Sequence, residues 1–452
     1  MGHAAASIRP ARAASSPALS GRIRPAGDTS ISHLCLILGG LASGETRITG
    51  LIENDDVLAT AAAMQALGAG MRRRNGEWII QGVGNGCLLA PDAPLDFGPA
   101  GSGCWPVMGL VGSYDFDTGF AGAAPLSQRP MDRLLAPLRQ IGTQIRCATG
   151  ARLPLTLRGP RAPAPISHAV PGGDTGVKTA VLLAGLNIPG ITSVTEASPG
   201  QDHLETMLTC FGASLAVETG ADGARITRLE GRCALAGQII NVPGDPSLAV
   251  FALVAALIVP GSDITIDTVL MTPALNVLIR TLQDMGADIE ILDPRQSVGE
   301  PVADLRVRAS ALTATSVPAE HAAAMIADYP ALAIAASFAE GETRMPVPAN
   351  LPPEQRDRLS ALARGLALTG VDCSEGPGGL SLRGRPGGRG LGAQAGGAVV
   401  ATGPDPRLAM SFLVMGFASE HAVTIDDAAA LAAHDPDFIA RMTGLGAEIS
   451  QP

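Results

Sequence analysis

Aromatic side chains and lysine are both scarce in this sequence of 452 residues. Aromatic residues make up 3% of the chain, which leaves few rings on which nucleic-acid bases could stack. Lys178 is the only lysine, so any step that requires a primary ammonium group must use this one residue. Charged residues amount to 16% and the net charge is -10, and an acidic protein is repelled by a phosphate backbone. The composition therefore predicts a protein without a nucleic-acid partner.

Paired cysteines and long apolar runs are also missing. The seven cysteines are scattered without a C-x-x-C spacing, which is typical of reduced thiols and not of a disulfide framework or a zinc site. The longest apolar run, residues 248–260, is too short to cross a bilayer. We therefore expect a cytoplasmic protein that has neither a metal site nor a membrane partner.

The first 20 residues contain no acidic side chain and lack the apolar core of a secretory signal. Alanine, arginine and serine dominate this segment, a composition that transit peptides share. Terminal segments of this kind are commonly without fixed structure. Residues 1–20 are predicted to form a disordered tail.

One short pattern recurs six times along the chain. It reads as the last turns of an amphipathic helix, with apolar residues three and four positions apart, followed by a glycine and a strand. A glycine at this place predicts a left-handed C-cap, because glycine adopts that conformation without steric cost. The cap glycines lie 70 to 84 residues apart, which exceeds the period of about 20 to 50 residues in solenoid proteins. They are Gly68, Gly142, Gly212, Gly286, Gly370 and Gly446.

This spacing indicates a duplicated folding unit that contains both helix and strands. Hydrophobic residues are 46% of the chain, which is enough aliphatic material for a large core. The chain is also about three times the usual domain size, so two domains are expected. The sequence therefore predicts an α/β protein that contains six copies of the unit in two domains.

Several longer motifs resemble one known family. Residues 27–33 read GDTSISH, and residues 39–51 read GGLASGETRITGL. Further motifs are LLAP at 88–91, LDFG at 95–98, GLVG at 109–112, RPM at 129–131, VPGDPS at 242–247 and AMSF at 409–412. Together they are similar to 5-enolpyruvylshikimate-3-phosphate (EPSP) synthase of the glyphosate-tolerant bacterial type. The resemblance covers nearly the whole chain after the first 20 residues.

The resemblance implies a fold and an activity. The family fold is a two-domain, inside-out α/β barrel built from six βαβαββ units, whose two lobes close around the ligands. Here the first lobe would comprise residues 21–23 and 244–452, and the second lobe residues 24–243. The family reaction transfers the enolpyruvyl group of phosphoenolpyruvate to the 5-hydroxyl of shikimate 3-phosphate, within the shikimate pathway of aromatic amino acid biosynthesis. We expect no cofactor, a small anionic substrate such as phosphoenolpyruvate, and a monomer.

Part of the family's binding site is retained. Arg129, Arg358 and Arg407 match the positions at which the family holds phosphoenolpyruvate with guanidinium groups. A single arginine in such a position is as often structural as functional, but all three together favour a retained anion site. The loop that approaches phosphoenolpyruvate keeps glycines for close backbone approach. The other predicted binding residues are Ser30, Gly98, Gly101 and Ser102.

Many other family positions carry a different residue. The losses concern the cationic groups on the shikimate-phosphate side and the groups that transfer protons. A neutral residue cannot replace a cation that offsets phosphate charge, and removing one charged contact costs a few kcal/mol. A carboxylate in place of a phosphate-binding group adds repulsion. The departures are Thr29 for lysine, Leu34, Trp105 and Gln201 for arginine, Asp174 in the phosphate loop, Ala327 for aspartate, Glu354 and Gln355 for a Lys-Glu pair, and Pro406 for histidine.

Three hypotheses follow from this combination. The first is a working EPSP synthase, and the second is a catalytically silent paralogue that keeps an anion site. The third is an enzyme whose acceptor lacks a phosphate group. Asp328 is a weak candidate for the missing base, because it follows Ala327 directly. The related transferase that acts on a UDP-sugar is less favoured, since its usual active-site cysteine loop has no counterpart before Arg129.

Overall fold

The computed structural model describes residues 9–170, 172, 174–198, 200–220, 223–392 and 399–451. The chain divides into two compact units. The first unit comprises the chain up to Ala26, Pro243–Gln296 and the chain from Pro301 onward. The second unit comprises Gly27–Val242 and Ser297–Glu300. The lobe boundaries expected from the resemblance were 23/24 and 243/244. Within the described residues, every helix is too short or too polar to cross a membrane.

The second unit contains three four-stranded sheets, each with one parallel edge pair and two antiparallel pairs. In spatial order, the first sheet holds β14 (Ile239–Asn241), β3 (Ser43–Thr49), β5 (Glu77–Val83) and β4 (Gly70–Arg74). The second holds β6 (Leu95–Asp96), β7 (Asp117–Ala121), β9 (Arg152–Arg158) and β8 (Gln144–Ala148). The third holds β10 (Ser167–Val170), β11 (Ile191–Glu196), β13 (Arg225–Glu230) and β12 (Leu215–Thr219).

Six helices of the second unit connect these strands, two for each sheet. Their bounds are α1 (Thr29–Leu41), α2 (Asp55–Ala66), α3 (Cys104–Val111), α4 (Asp132–Ile141), α5 (Thr175–Gly185) and α6 (His203–Cys210). Helices α1, α3 and α5 are apolar around nearly their whole circumference and are almost entirely buried. Helix α3 packs closely on α5, because a Cβ at Gly109 would lie 2.2 Å from the Ala180 carbonyl oxygen. The unit therefore has helices at its core and sheets outside them.

The first unit repeats this arrangement. One sheet holds β2 (Ser20–Ile23), β15 (Asp263–Leu270), β17 (Glu300–Arg308) and β16 (Asp288–Ser297). Another sheet holds β21 (Val399–Val400), β22 (Val423–Ile425), β1 (Ala11–Ala14) and β23 (Glu448–Ser450). A third sheet holds β18 (Glu342–Met345), β20 (Gly379–Arg383) and β19 (Asp372–Gly376). This sheet lacks the parallel edge strand of the other sheets. In its place, Thr313 and Ser316 form isolated parallel bridges with Glu340 and Arg344.

The helices of the first unit follow the same two-per-sheet plan with small additions. Their bounds are α7 (Pro246–Ile258), α8 (Pro273–Asp284), α9 (Ala319–Met325), α10 (Tyr329–Ser337), α11 (Pro353–Leu368), α12 (Pro406–Gly416), α13 (Ala429–His434) and α14 (Phe438–Gly444). A short 3-10 helix, Ile326–Asp328, joins α9 to α10. Helices α7, α10 and α12 are buried and pack on one another.

The six predicted cap glycines are confirmed. Each follows the last helix of a repeat and adopts a left-handed conformation, with φ between +86° and +106°. At Gly142 the backbone N-H donates to the Arg139 carbonyl, which closes the last turn of α4. A β-strand begins two or three residues after each cap glycine, with the cap of α2 preceding β4 as an example. The repeat read from the sequence is therefore a repeat of structure.

The prediction of a disordered tail over residues 1–20 is wrong for residues 9–20, and residues 1–8 lie outside the described residues. Strand β1 lies between β22 and β23 and pairs with both. Ala11 and Ala13 are fully buried, and a Cβ at Gly416 of α12 would lie 2.7 Å from the Ala13 Cβ. Small side chains are required at this contact. The alanine-rich composition reflects close packing against a helix.

Candidate functional site

The N-terminal ends of four helices of the second unit surround one cavity of about 210 Å³. The contributing helices are α1, α3, α5 and α6. Within the part of the chain that the structure describes, no lysine or arginine lines this cavity. The lining residues are Ser30, His33, Leu34, Ser102, Pro106, Thr175, Gly176, Thr179, Gln201, His203 and Leu204. Two predicted binding residues, Ser30 and Ser102, and two predicted departures, Leu34 and Gln201, are among them.

Helix α1 is capped by the chain's own carboxylate. Asp28 Oδ1 accepts a hydrogen bond from the Ile31 backbone N-H at 2.9 Å, which satisfies one of the free donors of the first turn. The next residue, Thr29, stands where the family has lysine, and its buried Oγ1 finds no hydrogen-bond partner among the described residues. Thr29 does not line the cavity. Leu34, one turn later, adds an apolar surface where the resemblance expects arginine.

A buried hydrogen-bond network fixes His33 and Ser102. The His33 ring lies 2.9 Å from Thr60 Oγ1 through Nδ1 and 2.7 Å from Ser102 Oγ through Nε2. Asp56 accepts from the Ser102 backbone N-H at 3.1 Å and pairs with the Ser102 hydroxyl. Burial opposes ionisation of Asp56, but the hydrogen bonds from His33 and Ser102 outweigh it and lower the pKa of this carboxyl. These side chains hydrogen-bond to one another and hold the start of α3 in place.

The glycines of the predicted binding loop have left-handed backbone conformations. Gly98 has φ +59° and its N-H donates to Asp96 Oδ1 at 3.0 Å, while Gly101 has φ +67°. A Cβ at Gly101 would lie 2.4 Å from the Leu126 side chain, so no larger residue fits there. Neither glycine lines the cavity. The loop serves to bring Ser102 to the cavity.

The first turn of α5 is capped by Asp174. Its Oδ1 accepts from the Val177 backbone N-H at 3.3 Å, and its Oδ2 lies 3.7 Å from the exposed Arg133 guanidinium. A helix N-terminus attracts anions through its free N-H groups and dipole. In this chain the attracted anion is an internal carboxylate. Asp174 therefore occupies one of the donors that a phosphate group would use.

Trp105 covers the same helix start from the side. A Cβ at Gly176 would lie 2.9 Å from Trp105 Cε3, so the indole is in close contact with the α5 backbone. The Arg129 guanidinium carbon lies 5.1 Å from the centroid of the Trp105 ring, within the range of a cation-π interaction. Arg129 is exposed. Its positive charge is thus placed over an aromatic face.

The single lysine is an interior residue. Lys178 Nζ lies 2.9 Å from Glu205 Oε1 and 3.2 Å from Glu196 Oε2, and it donates to the Gln201 carbonyl at 2.6 Å. The Lys178 side chain is fully buried. Two carboxylates around one ammonium leave no positive charge for a bound anion. Lys178 acts as a structural tie between α5, β11 and α6.

His203 lines the cavity and was not among the site residues predicted from the sequence. It is 7% exposed, and its Nδ1 lies 2.9 Å from Glu300 Oε1. Among the described residues its buried Nε2 has no hydrogen-bond partner. Burial lowers its pKa, but the hydrogen bond that Nδ1 donates to Glu300 and the negative charges of Glu300, Asp28 and Asp202 outweigh this effect, so the pKa of His203 is raised. The sequence could have indicated His203 through its position after Gln201 and Asp202 in the family motif. No sequence pattern indicated its partner Glu300, which lies 97 residues away.

Asp202, His203 and Glu300 also form the one group of possible metal ligands found among the described residues, with ligand atoms within 4.8 Å of one another. Asp202 Oδ2 is already bound by the Arg225 guanidinium at 2.8 Å, and Glu300 Oε1 is bound by His203. A guanidinium so close to the ligand set disfavours a second cation. The arrangement is better suited to orienting the histidine.

The first unit contains a separate network of two arginines and two aspartates. Arg358 Nε donates to Asp405 Oδ2 at 2.5 Å, and Asp405 also caps α12 through the Arg407 backbone N-H at 2.9 Å. Arg407 Nη1 donates to Asp328 Oδ1 at 3.1 Å and to the Ala327 carbonyl at 3.2 Å. Burial raises the pKa of Asp328, although the charge of Arg407 partly offsets it. The predicted anion-binding residues Arg358 and Arg407 are therefore each paired with a carboxylate.

The chain matches known proteins over almost its whole length. The family model for EPSP synthase (3-phosphoshikimate 1-carboxyvinyltransferase) matches residues 14–442. A 3-phosphoshikimate 1-carboxyvinyltransferase from Rhizobium johnstonii is 59% identical over 441 residues, which are 98% of this chain and 97% of the relative. One from Brucella canis is 58% identical over 443 residues, 98% of each chain. A solved structure of EPSP synthase from Acinetobacter baumannii is 33% identical, covers 98% of this chain and 100% of that chain, and has a TM-score of 0.90.

Proposed function

This chain belongs to the EPSP synthase (3-phosphoshikimate 1-carboxyvinyltransferase) family of enolpyruvyl transferases, and from that premise we propose that it turns over shikimate 3-phosphate weakly or not at all. The predicted fold, a two-domain α/β barrel of six βαβαββ units, is confirmed by the structural similarity. The proposal concerns the site alone. It describes a diverged paralogue that keeps the family scaffold.

One observation carries the proposal. The cavity beside α1, α3, α5 and α6 has no lysine or arginine among its described lining residues, whereas a phosphate dianion requires cations to offset its desolvation. Leu34 and Gln201 line it where the resemblance expects arginines. Asp174 caps α5 with its own carboxylate. Each change acts against a bound phosphate, and together they remove attraction and add repulsion.

The arginine–aspartate network of the first unit supports a retained anion ligand. Arg358 and Arg407 are partly exposed, with 25% and 23% of their side-chain surfaces accessible. Their carboxylate partners orient the two guanidinium groups, and each guanidinium has further N-H donors. An incoming carboxylate or phosphate would be attracted to these donors. We propose phosphoenolpyruvate as the small anion that this chain binds.

The state of the cysteines bears on the cellular compartment of the protein. All seven cysteines are free, which favours a reducing compartment such as the cytoplasm. We propose that the protein acts there as a monomer without a cofactor. These points are secondary to the question of turnover.

The test is an assay of phosphate release from phosphoenolpyruvate and shikimate 3-phosphate. The proposal expects a rate at least about 1,000-fold below that of the Rhizobium johnstonii relative, because two or more charged contacts are missing and each contributes ~2 kcal/mol or more. A rate within tenfold of the relative would overturn it. Restoring the cations with Thr29→Lys and Leu34→Arg tests whether the site is otherwise intact, and Ala327→Asp adds the missing carboxylate.

A working EPSP synthase and a fully silent paralogue remain the two neighbouring hypotheses. The working enzyme is favoured only by identity with its relatives. The silent paralogue predicts that phosphoenolpyruvate binds and that no acceptor reacts. Calorimetry with phosphoenolpyruvate alone separates retained anion binding from complete loss of the site.

A further inference from the structure

The two ring nitrogens of His203 differ in their hydrogen bonding. Nδ1 faces a carboxylate oxygen of Glu300 at 2.9 Å, so Nδ1 carries the proton in the neutral ring. Nε2 is buried and has no hydrogen-bond partner among the described residues. The ring lines the cavity and is 7% exposed. A buried polar atom without a partner is costly unless a ligand or water satisfies it.

The side-chain charges around His203 disfavour a phosphate partner for this atom. Glu300 bonds to the ring directly, and Asp28 and Asp202 add negative charge. Arg225 offsets Asp202 alone, through a 2.8 Å contact. Even with a protonated His203, the group has no excess positive charge. A phosphate placed against Nε2 would meet a net negative surrounding.

We propose that this cavity binds an acceptor that carries hydroxyl groups and no phosphate, with one hydroxyl hydrogen-bonded to His203 Nε2. The inference rests on the proposed function, because it names the substrate class of the same site. A hydroxyl suits Nε2 in either protonation state, since it donates to the neutral ring and accepts from the charged one. Other polar lining groups, among them those on Ser30, Thr179 and Gln201, are uncharged and can also hydrogen-bond a hydroxyl.

The cavity also sets the size and character of the ligand. Its volume of about 210 Å³ lies below the roughly 300 to 1,000 Å³ of most ligand pockets, so it suits a small ring better than a nucleotide. Leu34, Pro106 and Leu204 provide an apolar side, which suits the carbon face of a hydroxylated ring. His203 is thereby a positioning group for the acceptor, and Glu300 positions His203.

The experiment compares two probes that differ only by a phosphate group, shikimate and shikimate 3-phosphate. Both are titrated into the full-length protein at pH 7 by calorimetry, in the presence of saturating phosphoenolpyruvate. We expect shikimate to bind at least about tenfold more tightly than shikimate 3-phosphate, the reverse of what cationic phosphate sites give. We expect His203→Gln to weaken shikimate binding by about 5-fold to 20-fold, as for the loss of one buried hydrogen bond.

His168→Gln is the matched control, because His168 lies on β10 outside the cavity. It should leave shikimate binding within twofold of the unchanged protein. Far-UV circular dichroism and thermal melts of both variants establish that they are folded. The inference is overturned if shikimate 3-phosphate binds as tightly as shikimate or more tightly, if shikimate shows no saturable binding, or if folded His203→Gln binds it unchanged.

These outcomes are separable from failure of the proposed function. Rapid phosphate release with shikimate 3-phosphate would overturn the proposed function directly. Absence of turnover together with preferred binding of shikimate 3-phosphate would leave the proposed function standing and remove this inference. Absence of turnover together with preference for shikimate supports both.

Discussion

Arg407 Nη1 lies 3.1 Å from Asp328 Oδ1, so an arginine predicted to hold an anionic substrate is paired with a carboxylate of its own unit. Asp328 was considered as a replacement for the missing catalytic base. Its geometry instead assigns it to Arg407, and burial raises its pKa. The role of Asp328 as a base stays a prediction. The pairing itself has consequences for anion binding and for stability.

Asp328→Asn should strengthen phosphoenolpyruvate binding by about 3-fold to 10-fold. The formal charge of the group formed by Arg358, Arg407, Asp405 and Asp328 rises from zero to +1, and such a change at a partly buried site corresponds to ~1 kcal/mol. Calorimetric titration with phosphoenolpyruvate measures it. Asp372→Asn, on exposed β19, is the control with the same charge change. Equal effects of the two substitutions would show that net charge alone is responsible.

The same variant should change the pH dependence of stability in a defined direction. Asp328 has a folded-state pKa above its ordinary value of 3.8, so its contribution is most favourable below pH 3.8 and is lost as the pH rises through the folded pKa. Asn has no such loss. The stability of Asp328→Asn relative to the unchanged protein should therefore increase from pH 4 to pH 7 in thermal melts. A pH-independent difference would contradict the shift.

Lys178→Met should destabilise the protein by about 3–5 kcal/mol, because it leaves Glu196 and Glu205 buried without a cation. Denaturant unfolding of the second unit measures the change. Arg228→Met is a suitable control, since Arg228 is 39% exposed and its partner Glu218 is 58% exposed, and such pairs contribute about 0–1 kcal/mol. Adding Glu196→Gln and Glu205→Gln to Lys178→Met should recover part of the loss. No recovery would show that the cost arises from packing.

The features that could be predicted from the sequence are those encoded locally. Gly142 and the other five cap glycines follow amphipathic helices directly, so the left-handed cap is specified within one turn of chain. The caps of α1 and α5 are likewise local, because Asp28 and Asp174 bind donors three residues ahead. The apolar and glycine patterns of these segments were sufficient. They predicted the repeat, whereas the two-domain barrel was predicted from the family resemblance.

The features that were missed depend on distant partners. His203 and Glu300 are 97 residues apart, and His33 and Ser102 are 69 residues apart, so neither pairing leaves a pattern of spacing. Strand β1 has four residues, too few for a clear alternation. Its pairing with β22 and β23 is decided at the other end of the chain. Composition alone therefore suggested a tail.

Strand β1 gives a direct test of that correction. Ala13 is fully buried against Gly416, and Arg12 on the opposite face is exposed. Ala13→Leu should destabilise the first unit by about 1–3 kcal/mol through overpacking, whereas Arg12→Leu should change stability by about 0.5 kcal/mol or less. Chemical denaturation compares the two. Equal, small effects would mean that the segment does not pair in solution.

His203 and His168 should show opposite pH dependence of stability. The pKa of His203 is raised above the ordinary 6.5, so its stabilising contribution is complete below pH 6.5 and is lost as the pH rises through the folded pKa. Burial lowers the pKa of His168, so its contribution is present above pH 6.5 and is lost as the pH falls.

The melting temperature of the unchanged protein minus that of His203→Gln should therefore decrease between pH 6 and pH 9. The corresponding difference for His168→Gln should increase over a range from pH 5 to pH 7. Both series use one buffer system at constant ionic strength, because surface charges respond to salt. The same difference is then measured with Glu300→Gln present in both proteins. A decrease of equal size in that pair would show that Glu300 is not the group that raises the pKa of His203, and no decrease in the first pair would contradict the raised pKa.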